Sequence, residues 1–219
     1  MKKLLLLLLL LPFSAYAAIT YATFSTTDKA AGVTLSNSDK TASYSSNKWD
    51  GVNSTLKVSS GKWYWEVTIG DAGTNNAIRI GTGPAGGVSN TGSEEFGMVL
   101  SCQTGQFLWG FSGTGTDASR QCTDGDVLGF AMDEDGETVT VYKNGTQLNA
   151  TPIAYPAQMQ GVDNGIRIMF ADNSSAQNVT INTGQSAFVY SVPSGYNSGF
   201  YSGTADPLAT FQLWSLSLF

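Results

Sequence analysis

The stretch Asp124–Leu148, DGDVLGFAMDEDGETVTVYKNGTQL, decides the fold. Val127 to Met132 is a continuous apolar run, which is typical of a strand that is covered on both faces. Asp133 to Gly136 interrupts this run with turn-forming residues, of which the glycine is free to take a positive φ. Thr138 to Tyr142 resumes with β-branched and aromatic residues, and Asn144-Gly145 is the pair that a two-residue type I′ hairpin prefers. Two successive hairpins predict an antiparallel sheet.

The same stretch is similar to a known family. A Gly-Asp-Val-Leu-Gly strand, followed by a strand that closes on Tyr-Lys-Asn-Gly, resembles the SPRY domain family. Three further pieces match in the family's order: Gly61–Val67 (GKWYWEV), Ile80-Gly81, and the closing strand from Asn182 to Phe188 (NTGQSAF) with its continuation to Tyr196. The resemblance covers roughly residues 20–200. It implies an all-β fold, a two-sheet antiparallel β-sandwich of the concanavalin-like jelly-roll type.

The composition fits such a fold and excludes one class of partner. Only 13% of the 219 residues are charged, against ~25% in typical soluble domains, and 25 residues are glycine. This pattern favours short strands with many turns. The formal net charge is −6 and no basic cluster offsets it, so a phosphate backbone has nothing to bind. We therefore predict no nucleic-acid partner.

The N-terminus has the pattern of a secretory signal peptide. Lys2-Lys3 precedes the apolar run Leu4 to Leu11, and Ala15-Tyr16-Ala17 is an A-x-A cleavage site. The run is too short to cross a bilayer of ~30 Å as a helix, and no later segment reads as a transmembrane helix. We expect a signal peptide at 1–17, a SPRY sandwich at 18–200, and a tail at 201–219 that forms an extra edge strand or a docking segment. The expected location is secreted, periplasmic or cell-surface, in the style of bacterial or phage surface proteins.

Cys102 and Cys122 are the only cysteines of the chain. In an oxidising compartment such a pair usually forms a disulfide, which we predict here. Closing a loop of this size stabilises a fold by roughly 3 kcal/mol in the chain-entropy model. A thiol nucleophile or a thiolate metal site lacks support, because the chain contains no histidine.

No set of residues predicts catalysis. Without histidine, a Ser-His-Asp triad and an imidazole metal site are both excluded. The carboxylate pair Glu94-Glu95 lies in a polar loop, and the group Asp133, Glu134, Asp135 and Glu137 lies in a hairpin turn. That group also lacks the ligand spacing of a calcium loop. The sequence therefore predicts no enzyme, no cofactor and no metal.

The segment from Lys62 to Val67 alternates in the manner of a strand. Trp63, Trp65 and Val67 share one face, which we expect to pack between two sheets, while Tyr64 and Glu66 share the other. The family resemblance makes Glu66 a structural residue. Upstream, Trp49-Asp50-Gly51 is expected to form a turn, whose tryptophan is either an exposed ligand platform or a packing residue.

The resemblance implies a recognition module that binds short peptide stretches of partner proteins through loops at one end of the sandwich. Transferred by position, the ligand-binding surface falls on Val88-Ser89-Asn90 and on Phe170-Ala171-Asp172-Asn173. Two other classes of function stay open at this point. One is a carbohydrate-binding, lectin-like adhesin, because tryptophan and tyrosine side chains stack on sugars. The other is a structural or assembly protein of a phage-derived or envelope complex, with the tail as its docking segment.

Overall fold

The computed structural model describes residues 18–44, 49–74, 76–84, 97–109, 112–170 and 176–203. The predicted signal peptide and most of the predicted tail lie outside these ranges. Contacts divide the chain into two units, one of which is Tyr21–Tyr201. The other unit combines the two ends of the chain, and only its residues 18–20 and 202–203 are described. Within the described ranges, no helix has the length and apolar character needed to cross a bilayer.

The described residues form seventeen strands and two short 3-10 turns, the latter at Ala118–Arg120 and Ala157–Met159. In chain order the strands are β1 (Thr20–Tyr21), β2 (Phe24–Lys29), β3 (Val33–Ser36), β4 (Thr41–Tyr44), β5 (Asp50–Val58), β6 (Lys62–Asp71), β7 (Ile78–Gly83), β8 (Met98–Ser101), β9 (Phe107–Trp109), β10 (Ser112–Gly113), β11 (Val127–Asp133), β12 (Thr138–Lys143), β13 (Thr146–Gln147), β14 (Ile153–Ala154), β15 (Asn164–Phe170), β16 (Gln177–Asn182) and β17 (Tyr201–Ser202).

Two large sheets carry almost all of these strands. Sheet 1 has the order β10-β9-β8-β7-β15-β5-β2, and sheet 2 has the order β13-β12-β11-β6-β16-β4-β3, with β14 also paired to β12. Strands β1 and β17 pair separately. The central pairings of both sheets are antiparallel, for example β6 with β11 and β7 with β15. The predicted all-β, antiparallel two-sheet fold is confirmed.

The two predicted hairpins lie where the sequence places them. Strands β11 and β12 pair from Leu128–Lys143 to Asp133–Thr138, and the apolar run of β11 is buried throughout. Asn144 and Gly145 both have positive φ, at 51° and 78°, as a type I′ turn requires. In the first turn the positive φ falls on Glu137, at 50°, and not on Gly136. The Asp133 carboxylate accepts the N–H of Gly136 at 2.9 Å and closes this turn one residue earlier.

The core lies between the sheets and is centred on the tryptophan strand β6. Trp65 and Val67 are fully buried, as predicted, and the Trp65 ring stacks on Phe130 with centroids 4.3 Å apart. Trp63 is only partly buried and meets Phe200 edge to face. A partly exposed Trp63 departs from the expectation that all three residues of this face pack between the sheets.

The opposite face of β6 is also buried, because residues 183–200 cross over it. We call this segment the strap. Strand β16 ends at Asn182, so the strap is not the continuous closing strand that the family resemblance suggested. The Phe188 ring packs edge to face on Tyr64 at 5.0 Å, and the Glu66 carboxylate accepts the backbone N–H groups of Val189 and Tyr190 at 2.8 and 2.9 Å. The structural role expected for Glu66 is fastening this strap.

Strand β5 replaces the turn predicted at Trp49-Asp50-Gly51. It begins at Asp50 and pairs with both β2 and β15, although its centre carries the polar residues Asn53 and Ser54. The Ser54 hydroxyl accepts the N–H of Ile166 at 2.9 Å and donates to the Leu56 carbonyl at 2.6 Å. This side chain therefore satisfies backbone groups at a register shift of the ladder, which allows a polar strand to be buried.

Candidate functional site

The seven predicted ligand-binding residues fall into two groups. Val88, Ser89 and Asn90, together with Ala171, Asp172 and Asn173, lie outside the described residues. Phe170 is described, as the last residue of β15. It is fully buried and stacks on the Tyr44 ring with centroids 5.5 Å apart. The Phe170 side chain therefore belongs to the core, which corrects its assignment to a ligand-binding surface.

The two predicted segments do not leave the sandwich from one end. The first follows β7 and the second follows β15, which are antiparallel neighbours with Gly83 opposite Gly165 and Ile78 opposite Phe170. Their starting points are thus separated by the length of the strand pair, roughly 17 Å for five residues. The described region between these starting points is the face of sheet 1 that points away from the core. We call it the outer face of sheet 1.

Two arginines lie on this outer face. The triplets Ile78-Arg79-Ile80 and Ile166-Arg167-Ile168 occupy neighbouring strands, and the isoleucines belong to the core. Because side chains alternate along a strand, both arginines point to the outer face. They are two of only three arginines in the chain. The repeated Ile-Arg-Ile triplet is the sequence signal that would have found them.

Arg79 forms a stacked pair with Trp49. The guanidinium carbon of Arg79 lies 3.9 Å from the centroid of the indole ring, within the range of a cation–π contact. Burial lowers the pKa of Arg79 to about 10, so the group stays charged at neutral pH. Trp49 is half-buried, immediately before β5. It therefore packs on the sheet and also keeps part of its surface exposed, which combines the two roles considered for it.

Arg167 is fully buried. Its Nε donates to the Asn53 side-chain oxygen at 3.2 Å, and its Nη2 donates to the Pro84 carbonyl at 3.1 Å. Burial lowers its pKa to about 10. A Cβ at Gly97 would lie 3.2 Å from Cδ of Arg167, so the glycine leaves room for the arginine. Arg167 thus fixes the backbone at Pro84, the last described residue after β7.

The predicted disulfide joins Cys102 to Cys122, and both cysteines are buried. The Asn76 amide donates to the backbone carbonyls of both cysteines. Beside them lies a shallow cleft of about 360 Å³, lined by Ala72, Gly73, Asn76, Cys122, Thr123 and Asp124. We call it the cystine cleft. It lies at the end of the sandwich where β15 ends and β7 begins, because Cys102 N–H donates to the Ile78 carbonyl.

The carboxylates of the Asp133–Glu137 hairpin each have a separate structural partner. Asp133 pairs with Lys62 at 2.6 Å, Asp135 accepts the N–H of Gly61, and Glu137 accepts the N–H of Gly161. Glu134 is buried and accepts hydrogen bonds from the Tyr155 hydroxyl at 2.7 Å and the Asn164 amide at 3.0 Å. Burial raises the pKa of the Glu134 carboxyl. Among the described residues, no three histidine, cysteine or acidic side chains are grouped to hold a metal ion.

Comparison with known proteins agrees with this geometry. The SPRY domain family model matches residues 62–186, which is more than half of the chain. The chain therefore belongs to the SPRY domain family. No curated protein sequence is similar enough to match it.

Solved structures show the same fold. The SPRY domain of human HERC1 superposes with a TM-score of 0.61 at 17% identity, covering 75% of this chain and 99% of that one. The TRIM65 PSpry domain gives 0.55 at 15% identity, covering 74% and 92%. Stonustoxin gives 0.52 at 15% identity, covering 74% of this chain and 27% of its own. SPRY domains are generally protein-interaction modules rather than enzymes.

Proposed function

We propose that this chain is an exported, non-enzymatic recognition module that binds a short peptide of a partner protein on the outer face of sheet 1. The observation that carries the proposal is the Trp49–Arg79 pair, with its ring-to-guanidinium distance of 3.9 Å. Tryptophan and arginine are the residues most enriched at the energetic centres of protein interfaces. Arginine stacks on aromatic faces and is the residue of choice for ion pairs at interfaces.

The surroundings of this pair support a preformed surface. Met169, which lies on β15 opposite Arg79, is buried, and Ser101 on the other neighbouring strand is also buried. Arg79 therefore lies between two buried residues of the neighbouring strands. Side chains fixed before binding lose less conformational entropy when a ligand arrives, which favours affinity.

Export is supported by two independent features of the chain. The first 17 residues have the charge, apolar run and cleavage site of a signal peptide. The Cys102–Cys122 disulfide is the kind of bond that persists in oxidising compartments. Together they favour a secreted, periplasmic or cell-surface location. Fractionation of cells that express the whole chain tests this directly. A protein that stays in the cytoplasm with its first 17 residues uncleaved would contradict export.

A displayed random-peptide library, panned against the chain without its predicted leader, tests the binding proposal. We expect enrichment of a peptide family whose affinity falls at least tenfold in Trp49→Ala and in Arg79→Gln. Arg120→Gln is the matched control, because it removes an arginine that stacks instead on Phe107, away from the outer face. Peptides that bind all three variants equally would contradict the assignment of the binding site to the outer face of sheet 1.

A glycan array probed with the same variants separates the other classes of function. Binding to a glycan without any peptide enrichment would make the chain a lectin and overturn the proposal. Oligomeric particles that disappear on deletion of residues 205–219, with no binding to peptide or glycan, would instead indicate an assembly role.

A further inference from the structure

We propose that the cystine cleft binds a basic side chain, the guanidinium or ammonium group of an arginine or lysine in the partner peptide. This inference rests on the proposed function, since it adds a second contact point for the same peptide. The cleft is separate from the outer face of sheet 1, because its lining residues belong to the β6–β7 connection and to the loop that precedes β11.

Two carboxylates are oriented by backbone donors here, Asp124 in the lining of the cleft and Asp71 directly before the lining residue Ala72. Asp124 Oδ1 accepts the N–H of Ala72 at 2.8 Å, and Asp71 Oδ1 accepts the N–H of Gly73 at 2.8 Å. In each case the other carboxylate oxygen forms no hydrogen bond with a described residue. Neither aspartate forms an ion pair with any described residue, although Asp126 nearby in sequence pairs with Lys143 at 3.9 Å. The cleft therefore carries negative charge that the described part of the chain leaves uncompensated.

Behind the cleft, acceptors outnumber donors. Asn76 Oδ1 and Gln177 Oε1 are both buried and accept no hydrogen bond within the described residues. The side-chain nitrogen of Asn76 already donates to the cysteine carbonyls, and that of Gln177 donates to the Ala72 carbonyl. An uncompensated set of acceptors favours a ligand that brings positive charge and several N–H donors. Lysine and arginine side chains have this chemistry.

The size of the cleft fits one side chain. Its volume of about 360 Å³ lies at the lower end of the range for small-molecule sites, roughly 300–1,000 Å³. The Cys102–Cys122 bond and the Asn76 amide hold the wall that contains Cys122. The chain as a whole carries a net charge of −6, which also favours a basic partner.

An NMR titration of the chain with Nα-acetyl-arginine methylamide tests the proposal, with the neutral isostere Nα-acetyl-citrulline methylamide beside it. We expect saturable shifts of the Ala72, Gly73 and Asp124 amide signals with the arginine probe and none with the citrulline probe. Equal shifts with both probes, or none with either, would overturn the proposal.

Asp124→Asn is the variant of choice, because its side-chain oxygen still accepts the Ala72 N–H while the charge is lost. We expect a dissociation constant about fivefold higher for the arginine probe. The matched control is Asp39→Asn in the β3–β4 turn, where φ is 59° and asparagine is well tolerated. An Asp124→Asn chain that binds the arginine probe as tightly as the control contradicts the cleft assignment.

The two proposals fail in different ways. If selected peptides depend on Trp49 and Arg79 but bind Asp124→Asn as tightly as they bind the natural chain, that result would rule out the cleft proposal and leave the outer-face proposal standing. An arginine probe that binds the cleft, with no peptide enriched by panning, would remove the peptide-recognition function and leave a cation-binding cleft. If peptides that contain lysine or arginine lose affinity both for the outer-face variants and for Asp124→Asn, the result supports both proposals.

Discussion

Glu66 and Tyr190 are 124 residues apart in the chain, and the Glu66 carboxylate accepts the Tyr190 backbone N–H at 2.9 Å. Glu66 is 1% exposed, and its oxygens also accept the Val189 N–H and the Tyr64 hydroxyl. This one side chain therefore fastens the strap to the strand that carries the most recognisable sequence of the family.

Replacing Glu66 by alanine leaves those three donors without an acceptor, the Tyr64 hydroxyl in a buried site and the two N–H groups in part-buried ones. We expect a loss of about 3 kcal/mol in the free energy of unfolding, because hydrogen bonds to a charged group are worth more than neutral ones and orphaned buried donors are costly. Urea unfolding measures the loss. Asp163→Asn, on an exposed side chain, is the control and should change stability by less than about 0.5 kcal/mol. Equal stability of the two variants would show that the strap does not depend on Glu66.

Two glycines with similar backbone conformation allow the cost of backbone strain to be distinguished from the cost of a steric clash. Gly145 has a φ of 78°, and a Cβ there would lie 2.7 Å from a carbon of the Tyr190 ring. Gly125 has a φ of 84° with nothing within 4 Å of such a Cβ. We expect Gly125→Ala to cost about 1 kcal/mol from backbone strain alone and Gly145→Ala to cost about 1–2 kcal/mol more. Thermal unfolding should show the larger fall in Tm for Gly145→Ala, and equal falls would contradict contact with the strap.

The disulfide is expected to stabilise the fold and to resist reductant. In the double variant Cys102→Ala/Cys122→Ala, we expect the free energy of unfolding to fall by about 3 kcal/mol, for a loop closed over a sequence separation of 20. Because both cysteines are at most 1% exposed, alkylation after treatment of the folded chain with a thiol should be slow. Addition of urea should make it fast. Rapid alkylation without urea would mean that the bond is reached in the native state.

Glu134 should make stability depend on pH in a definite direction. Burial raises the pKa of its carboxyl above the ordinary 4.5, so the native state holds the proton where the unfolded chain has released it. The contribution of Glu134 is therefore most favourable below pH 4.5 and is lost as the pH rises through the raised folded pKa. Asp133 and Glu137 nearby act in the same direction on this group.

Comparison with Glu134→Gln isolates this effect. The variant replaces the carboxyl by an amide that does not titrate, so any packing difference is independent of pH. We expect the stability of the natural chain to fall relative to the variant by up to about 1.4 kcal/mol per pH unit inside the window. Urea unfolding over a pH series measures the gap. A natural chain whose stability stays constant or rises relative to the variant as the pH rises would contradict the assignment.

Local patterns in the sequence predicted the elements whose determinants are local. The hairpins around Asn144-Gly145 follow from turn chemistry, and the burial of Trp65 follows from the alternation of β6. Strand β5 could not be predicted in this way, because Ser54 becomes acceptable in a buried strand only through its bond to Ile166, far along the chain. The turn chemistry of Asp133 to Gly136 likewise did not specify that the positive φ falls on Glu137, next to the Gly136 N–H that the Asp133 carboxylate accepts.

The candidate site was less predictable than the fold. The alternation of Ile166, Ile168 and Phe170 was sufficient to place Phe170 in the core. Transfer by family position nevertheless assigned it to the ligand-binding surface. The Arg79 and Arg167 triplets show that each arginine points away from the core, but not that their strands are neighbours. Pairing between distant strands is a property of the whole fold, so the outer face of sheet 1 emerges only when the sheet order is known.

Tyr21 and Tyr201, at the two ends of the sandwich unit, have ring centroids only 5.6 Å apart. A unit whose entry and exit meet in this way can be placed within a surface loop of another protein without pulling that loop open. The fold is therefore suited to grafting. A host domain that carried it in such a loop would also carry the proposed outer-face surface, with the sandwich intact.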